Sequence, residues 1–325
     1  MDKIQIIYGG DSKELDRAIK MLMDNTKSNF EICAVSMSEV SRQSLLESKI
    51  VWTKLWPKVD KELIRQLPNL SYVVSPTTAL GHIDQDFLKK RGIKLFSLRD
   101  LPNVINSITS TSEFTLALIL AVWRNIMPAS LDTRNIEISL KRENYFSYQL
   151  KDRELGIIGF GRVGKQLAKY AQALGLNVSY YDPFLTGTTG RTFKQVKQKA
   201  LIDLCKESDI LAVTASVRDP LSPILKREHI FCMKKTAVLV NTSRGSLVDE
   251  HALADALEMG LLRGAGIDVL KEEDIRFQNE KSPLIDLDRE KVNLLITPHL
   301  AGATHDALEK INFELLKLLL KDIHK

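Results

Sequence analysis

Three observations predict an α/β protein with two parallel sheets. Short apolar runs alternate with helical patterns along the chain, the runs fall into two series, and a long helical stretch separates the series. The first series is IQIIYG (4–9), EICAVS (31–36), KIVWTKL (49–55), LSYVVSP (70–76) and GIKLFSL (92–98). Such runs, bounded by helical spacing, read as buried parallel strands with crossover helices. One crossover, IDQDFLKKRG, ends in Gly92, a residue suited to the left-handed turn after a helix.

INSITSTSEFTLALILAVWRNI (105–126) follows, rich in Ser and Thr at first and apolar afterwards, and reads as one helix joining two domains. Beyond it come ELGIIG (154–159), NVSYYD (177–182), DILAVT (209–214), TAVLVN (236–241), GAGIDV (264–269) and VNLLITP (292–298). Six strands are the complement of a doubly wound dinucleotide-binding sheet. At 325 residues the chain has room for two domains, each with its own core.

Composition narrows the function classes. The 46 basic and 41 acidic residues are interspersed, without the basic block that nucleic-acid binding requires. Cys33, Cys205 and Cys232 form no CxxC pair and have no neighbouring His pair, so neither a disulfide framework nor a metal site is expected, and a reducing cytoplasm fits. The apolar run in MDKIQIIYGG is too short for a signal peptide, and no stretch reads as the ~20 apolar residues of a membrane span.

The stretch LGIIGFGRVGKQLA (155–168) carries glycines at Gly159, Gly161 and Gly164 between a strand and a helix. After a buried strand, the first suits a sharp reversal, the second the close approach of a pyrophosphate, and the third tight helix packing. Arg162 and Val163 open the helix, whose amides and positive dipole end would meet the phosphates. Asp182 stands 18 residues after Gly164, near the spacing of a carboxylate that binds the ribose hydroxyls. Because that charge repels a 2'-phosphate, the cofactor expected is NAD.

Three later strand ends carry polar residues. Arg244 lies in NTSRGSLVDEHAL (241–253), where its guanidinium fork suits a carboxylate and a neighbouring carbonyl. GAGIDVLKEED (264–274) holds acidic residues, and ITPHLAGATHDAL (296–308) places His299 after the last strand. Histidine transfers protons near neutrality, and a carboxylate in reach favours and orients its imidazolium.

Together GIIGFGRVG, YDP, NTSRGSLVDE, RGAGIDV and TPHLAGAT resemble, in order and separation, the D-isomer-specific 2-hydroxyacid dehydrogenases, whose members include D-lactate, D-3-phosphoglycerate and hydroxypyruvate-type enzymes. The resemblance implies hydride transfer between nicotinamide and C2 of a small 2-keto or 2-hydroxy acid. It assigns Arg244 to the substrate, His299 to proton transfer and Glu273 to holding His299, with the adjacent Glu272 left as an alternative; Asp268 joins the cofactor-binding set. It also implies two Rossmann-like domains with the active site in their cleft. One is a discontinuous flavodoxin-like substrate domain (1–104 and 299–325), the other the NAD-binding domain (105–298), and a homodimer forms through the latter.

Three stretches depart from the family pattern. Its glycine-rich anion loop is replaced by SPTTALGHID (75–84), so that Thr77, Thr78 and Ala79 take the substrate-carboxylate position. Glu273 is followed by Asp274 where a proline is usual, and SVRDPLSP (216–223) lacks the family's histidine. A non-catalytic NAD sensor or corepressor-like protein is the alternative on the same fold. Formate oxidation, which needs no proton delivery, fits the Glu-His pair less well.

Overall fold

A computed structural model describes residues 2–9, 13–25, 30–78, 80–133, 142–185, 193, 195–216, 222–273, 279 and 281–324. Two compact units share the chain. One runs to Ile108 and resumes at Ala303; the other begins at Thr109 and ends at Gly302. Residues 105–108 therefore belong with the first unit, and His299 to Gly302 with the second. The reason for the later return is local: the His299 amide bonds to the Asp268 carbonyl, which ties that turn to the second unit.

The first unit holds β1 (Asp2–Tyr8), α1 (Lys13–Asn25), β2 (Phe30–Ser36), α2 (Arg42–Glu47), β3 (Ile50–Trp52), α3 (Lys61–Gln66), β4 (Tyr72–Ser75), α4 (Gln85–Lys90), β5 (Lys94–Ser97), α5 (Pro102–Asn106) and, after the return, α12 (His305–Ile323). Its parallel sheet has the order β2-β1-β3-β4-β5, the flavodoxin-like arrangement. Alternation along β1 and β3 sends Ile6 and Trp52 to one face, where Leu15, Leu22, Ile311, Leu315 and Leu319 cover them. Ile7 and Val51 go to the other, under Ile64 and Leu88. Asp60 and Asp84 cap α3 and α4 by accepting from the Leu63 and Phe87 amides at 2.9 Å each. Gly92 takes φ +69° beyond α4.

The second unit holds α6 (Ser110–Trp123), α7 (Ile126–Asp132), β6 (Glu154–Ile158), α8 (Arg162–Ala173), β7 (Asn177–Tyr181), β8 (Lys197–Gln198), α9 (Leu201–Glu207), β9 (Ile210–Val213), α10 (Arg227–Phe231), β10 (Val238–Asn241), α11 (Glu250–Glu258), β11 (Gly264–Ile267) and β12 (Leu294–Ile296). All its pairings are parallel, in the order β12-β11-β10-β9-β6-β7-β8. The six strands read from sequence are joined by β8, an edge strand of 2 residues, too short to show any periodicity.

The predicted joining helix is two helices. Asn106 ends α5 and Ser110 starts α6, so the chain changes units at a break. Residues Pro102–Trp123 do have the length and composition of a membrane-crossing segment, contrary to the sequence reading. Inside the fold, however, α6 buries Leu118, Ile119, Val122 and Trp123 against the second sheet. Glycines permit the close fit: a Cβ at Gly264 would lie 2.9 Å from Val122, and one at Gly266 3.3 Å from Leu118. Such packing accounts for its apolar second half.

Candidate active site

The loops after β6, β7, β9, β10, β11 and β12 share one edge of the second sheet, because every strand runs the same way. Ligands bind at that edge in open α/β sheets. Gly159 leaves β6 at φ +87°, and a Cβ there would sit 2.3 Å from Ala215 Cα in the loop after β9. Gly164 packs α8 against the loop that Gly159 opens, where a Cβ would fall 2.3 Å from the Gly159 carbonyl oxygen. At Gly161 a Cβ would meet nothing within 4 Å, so the middle glycine borders open space.

Gly159 makes the sharp reversal and Gly164 the close helix packing, and Arg162 and Val163 open the first turn of α8. Asp182 directly follows β7 and reaches the glycine loop. Its Oδ2 accepts from the Phe160 amide at 2.9 Å, and its Oδ1 from the Phe184 amide at 3.0 Å. The carboxylate therefore stands against the glycine loop. Burial draws the Arg162 guanidinium below its ordinary pKa. The residues present fit a dinucleotide.

Arg244 follows β10. Its loop is fixed by Asn241, which is 1 % exposed and bonds twice to it: Nδ2 donates to the Arg244 carbonyl at 2.8 Å, and Oδ1 accepts from the Ser243 amide at 3.0 Å. Ser243 Oγ donates to the Ala215 carbonyl, linking this loop to the one that touches Gly159. The guanidinium rests on its own backbone, Nη1 donating to the Ser243 carbonyl at 2.6 Å.

Gly245 brings the next loop into register. A Cβ at this position would lie 2.1 Å from both Leu270 C and Lys271 N, so only glycine admits the approach. Lys271–Glu273 forms a short 3-10 turn. Glu273 Oε1 accepts from the Leu270 amide at 2.8 Å, and Glu273 Oε2 lies 2.5 Å from His299 Nδ1. Glu272 points elsewhere, its Oε2 accepting from the Ser282 amide at 3.0 Å.

His299 occupies the left-handed region at φ +55°, with its amide bonded to the carbonyls of Asp268 and Thr297 at 2.9 Å each. The side chains of His299 and Glu273 are 24 % and 30 % exposed, which leaves the pair shielded yet reachable. With Nδ1 committed to Glu273, Nε2 is the ring nitrogen that can face a reacting oxygen.

Asp268 directly follows β11. Its side chain is fully buried and turns toward the His299 loop, accepting from Thr297 Oγ1 at 2.5 Å, the Leu300 amide at 2.8 Å and the Ala301 amide at 2.9 Å. A carboxylate removed from solvent must collect such donors.

Thr77 and Thr78 follow β4 in the first unit, both partly exposed. Thr77 Oγ1 and Ser75 Oγ are 2.9 Å apart, and the Thr78 carbonyl accepts from Arg99 Nε at 2.8 Å. Ala79 lies outside the described residues.

Sequence reading missed two supports of this edge. Asn241 was legible as an amide at the end of the apolar VLVN strand. Glu250, in the first turn of α11, reads as an acid favoured by the helix dipole. Its side chain is instead buried, and Oε1 accepts from the Lys271 amide at 2.8 Å. Burial holds its carboxyl above the ordinary range.

Comparison with known proteins agrees with this layout. The family profile described as "D-isomer specific 2-hydroxyacid dehydrogenase, NAD binding domain" matches residues 116–301. A glyoxylate reductase of Thermococcus litoralis is 34% identical over 269 residues, covering 79% of this chain and 75% of its own. A D-3-phosphoglycerate dehydrogenase of Methanocaldococcus jannaschii is 29% identical over 89% of this chain, which spans 52%, about half, of that relative's length.

Among solved structures, the D-lactate dehydrogenase of Aquifex aeolicus, complexed with NAD and lactic acid, superposes with a TM-score of 0.76 at 26% identity, over 98% of this chain and 95% of that one. The chain belongs to the D-isomer-specific 2-hydroxyacid dehydrogenases, NAD-dependent oxidoreductases of two-domain Rossmann type.

Proposed function

We propose that this chain reduces a small 2-keto acid to the D-2-hydroxy acid, and reverses the reaction, with His299 as acid and base. The observation that carries the reading is the 2.5 Å contact between His299 Nδ1 and Glu273 Oε2. A carboxylate bound to one ring nitrogen fixes the tautomer of the ring and the direction in which the other nitrogen points. His299 Nε2 then gives its proton to the alkoxide oxygen forming at C2, or takes it back in oxidation.

Bound NAD supplies the hydride acceptor, or donor in the reduced form, within the family to which the chain belongs. Gly159, Gly161, Arg162, Val163, Gly164 and Asp182 hold it, the carboxylate at Asp182 favouring NAD over a 2'-phosphorylated cofactor. Arg244 takes the substrate carboxylate and polarises the 2-oxo group. Confining both reactants beside one proton donor lowers the barrier by proximity, several kcal/mol and up to ~7 to 11 in the best models.

The reading extends to a homodimer in a reducing cytoplasm. Exposed Ile126, Met127, Leu131, Phe146 and Tyr148, gathered within one stretch of the second unit, support an interface there. Light scattering at about twice the 36.7 kDa chain mass is expected. The activity is tested by NADH oxidation with glyoxylate, pyruvate, hydroxypyruvate, 2-oxoglutarate, 3-phosphohydroxypyruvate and branched 2-keto acids. Turnover with at least one is expected, whereas tight NADH binding with none turned over would replace an enzyme by a sensor.

A further inference from the structure

The segment from Arg244 to Glu250 grips the Leu270–Lys271 peptide at two points. Near its start, Gly245 presses on that peptide, where a Cβ would lie 2.1 Å from both Leu270 C and Lys271 N. At its end, Glu250 Oε1 accepts from the Lys271 amide at 2.8 Å. The gripped peptide leads into the 3-10 turn Lys271–Glu273, which carries the partner of His299. One short stretch of chain thus holds the arginine loop and the glutamate turn against each other.

The grip has a rigid base. Glu250 opens α11, whose N-cap Asp249 accepts from the Ala252 amide at 3.0 Å and whose Ala252, Leu253, Ala256 and Leu257 are buried in the second unit's core. The far side of the turn is tied as well, since Glu272 Oε2 accepts from the Ser282 amide at 3.0 Å. Between these ties, Glu273 takes the Leu270 amide on Oε1 and turns Oε2 to His299.

The Glu250 side chain is buried, and taking a carboxyl out of water costs stability unless it gains a donor. Burial holds this carboxyl above the ordinary range, and the neighbouring Glu272 charge pushes the same way. An aliphatic chain would fill the space at less cost, so what the carboxyl adds is its bond to the turn. We infer that Glu250 is a positioning residue: its bond to the Lys271 amide sets where Glu273 stands relative to Arg244, and through Glu273 where His299 Nε2 points. The inference rests on the proposed reading of His299 as the proton donor.

Three variants of the full chain separate reach from charge. Glu250→Gln keeps an acceptor oxygen at the same length, Glu250→Asp keeps the charge but is shorter by a methylene, and Glu250→Ala removes the acceptor. For each, kcat, KM and the NADH dissociation constant are measured, together with the downfield proton NMR signal of His299 Nδ1–H, assigned by its loss in His299→Ala. Glu250→Ala and Glu250→Asp are expected to lower kcat on the order of 10²-fold, as a misplacement of about 1 Å does, while NADH affinity stays within about twofold. Both should shift or broaden the Nδ1 signal. Glu250→Gln should keep the wild-type signal and a kcat within about threefold of wild type.

Should Glu250→Ala fail to fold, Glu250→Asp against Glu250→Gln carries the test, because each keeps a polar group at the site. Equal loss of kcat and signal in Asp and Gln would overturn the inference, since reach would then not matter. Unchanged kcat and signal in Glu250→Ala and Glu250→Asp would reduce Glu250 to a part of the fold, and lost NADH affinity with kcat retained would move it to the cofactor site. Because the NMR signal needs no turnover, a wild-type chain inactive on every 2-keto acid would refute the proposed function while the signal still decides whether Glu250 places the pair.

Discussion

A methyl group at Gly164 would sit 2.3 Å from the carbonyl oxygen of Gly159, so the helix α8 and the glycine loop are in contact through the absence of one side chain. Gly164→Ala must separate them, and the displaced atom is backbone, which cannot rotate away. A loss of about 1–3 kcal/mol of stability is expected from such overpacking. Thermal melting with and without NADH checks it; a wild-type melting point and full ligand-induced stabilisation would contradict this fit.

Arg244 sits on a loop held by Asn241, so its truncation leaves both Asn241 bonds to the loop in place. Arg244→Ala is expected to lower kcat/KM about 10²- to 10³-fold, the scale for losing a charged donor at a reacting oxygen, with NADH affinity unchanged. Steady-state kinetics beside fluorescence titration of NADH separates the two. Loss of NADH binding instead would remove Arg244 from the substrate.

Asp182 accepts from the Phe160 amide within the glycine loop. Removing its charge by Asp182→Asn should shrink the preference for NAD over NADP on the order of tenfold, one unit charge in partly solvated surroundings. The ratio of kcat/KM for the two cofactors reports this, and an unaltered ratio would locate the discrimination at another residue.

Glu250 gives a pH-dependent prediction. Burial raises its carboxyl above the ordinary 4.5. The folded chain therefore binds this proton more readily than the unfolded chain, and the associated stability is present at acid pH and lost as pH rises from about 4.5 through the folded value. Glu250→Gln, which has no such charge to desolvate, should gain melting temperature relative to wild type across that window and keep the gain at neutrality. Melting curves from pH 4 to 8 measure it, and a difference independent of pH would refute the assignment.

The two sheets, their parallel sense and the dinucleotide loop were legible in the sequence because each is written locally. Apolar runs between helical patterns give parallel strands, and three glycines at fixed spacing give the turn and the close packing. One local signal misled: the Ser- and Thr-rich start of 105–126 hid a break between α5 and α6. The two-residue strand β8 is made by pairing to β7, not by any pattern of its own.

By itself the sequence determined which residue types stand at the strand ends: Arg244, an acid pair at Glu272 and Glu273, and His299. Tertiary structure decided which carboxylate meets the imidazole, since adjacent side chains in a tight turn point apart and only Glu273 reaches His299, while Glu272 caps Ser282. It also decided that Asp268 faces inward. A strand-end aspartate looks the same in sequence whether it meets a ligand or its own chain; burial alone obliges it to gather the Thr297, Leu300 and Ala301 donors.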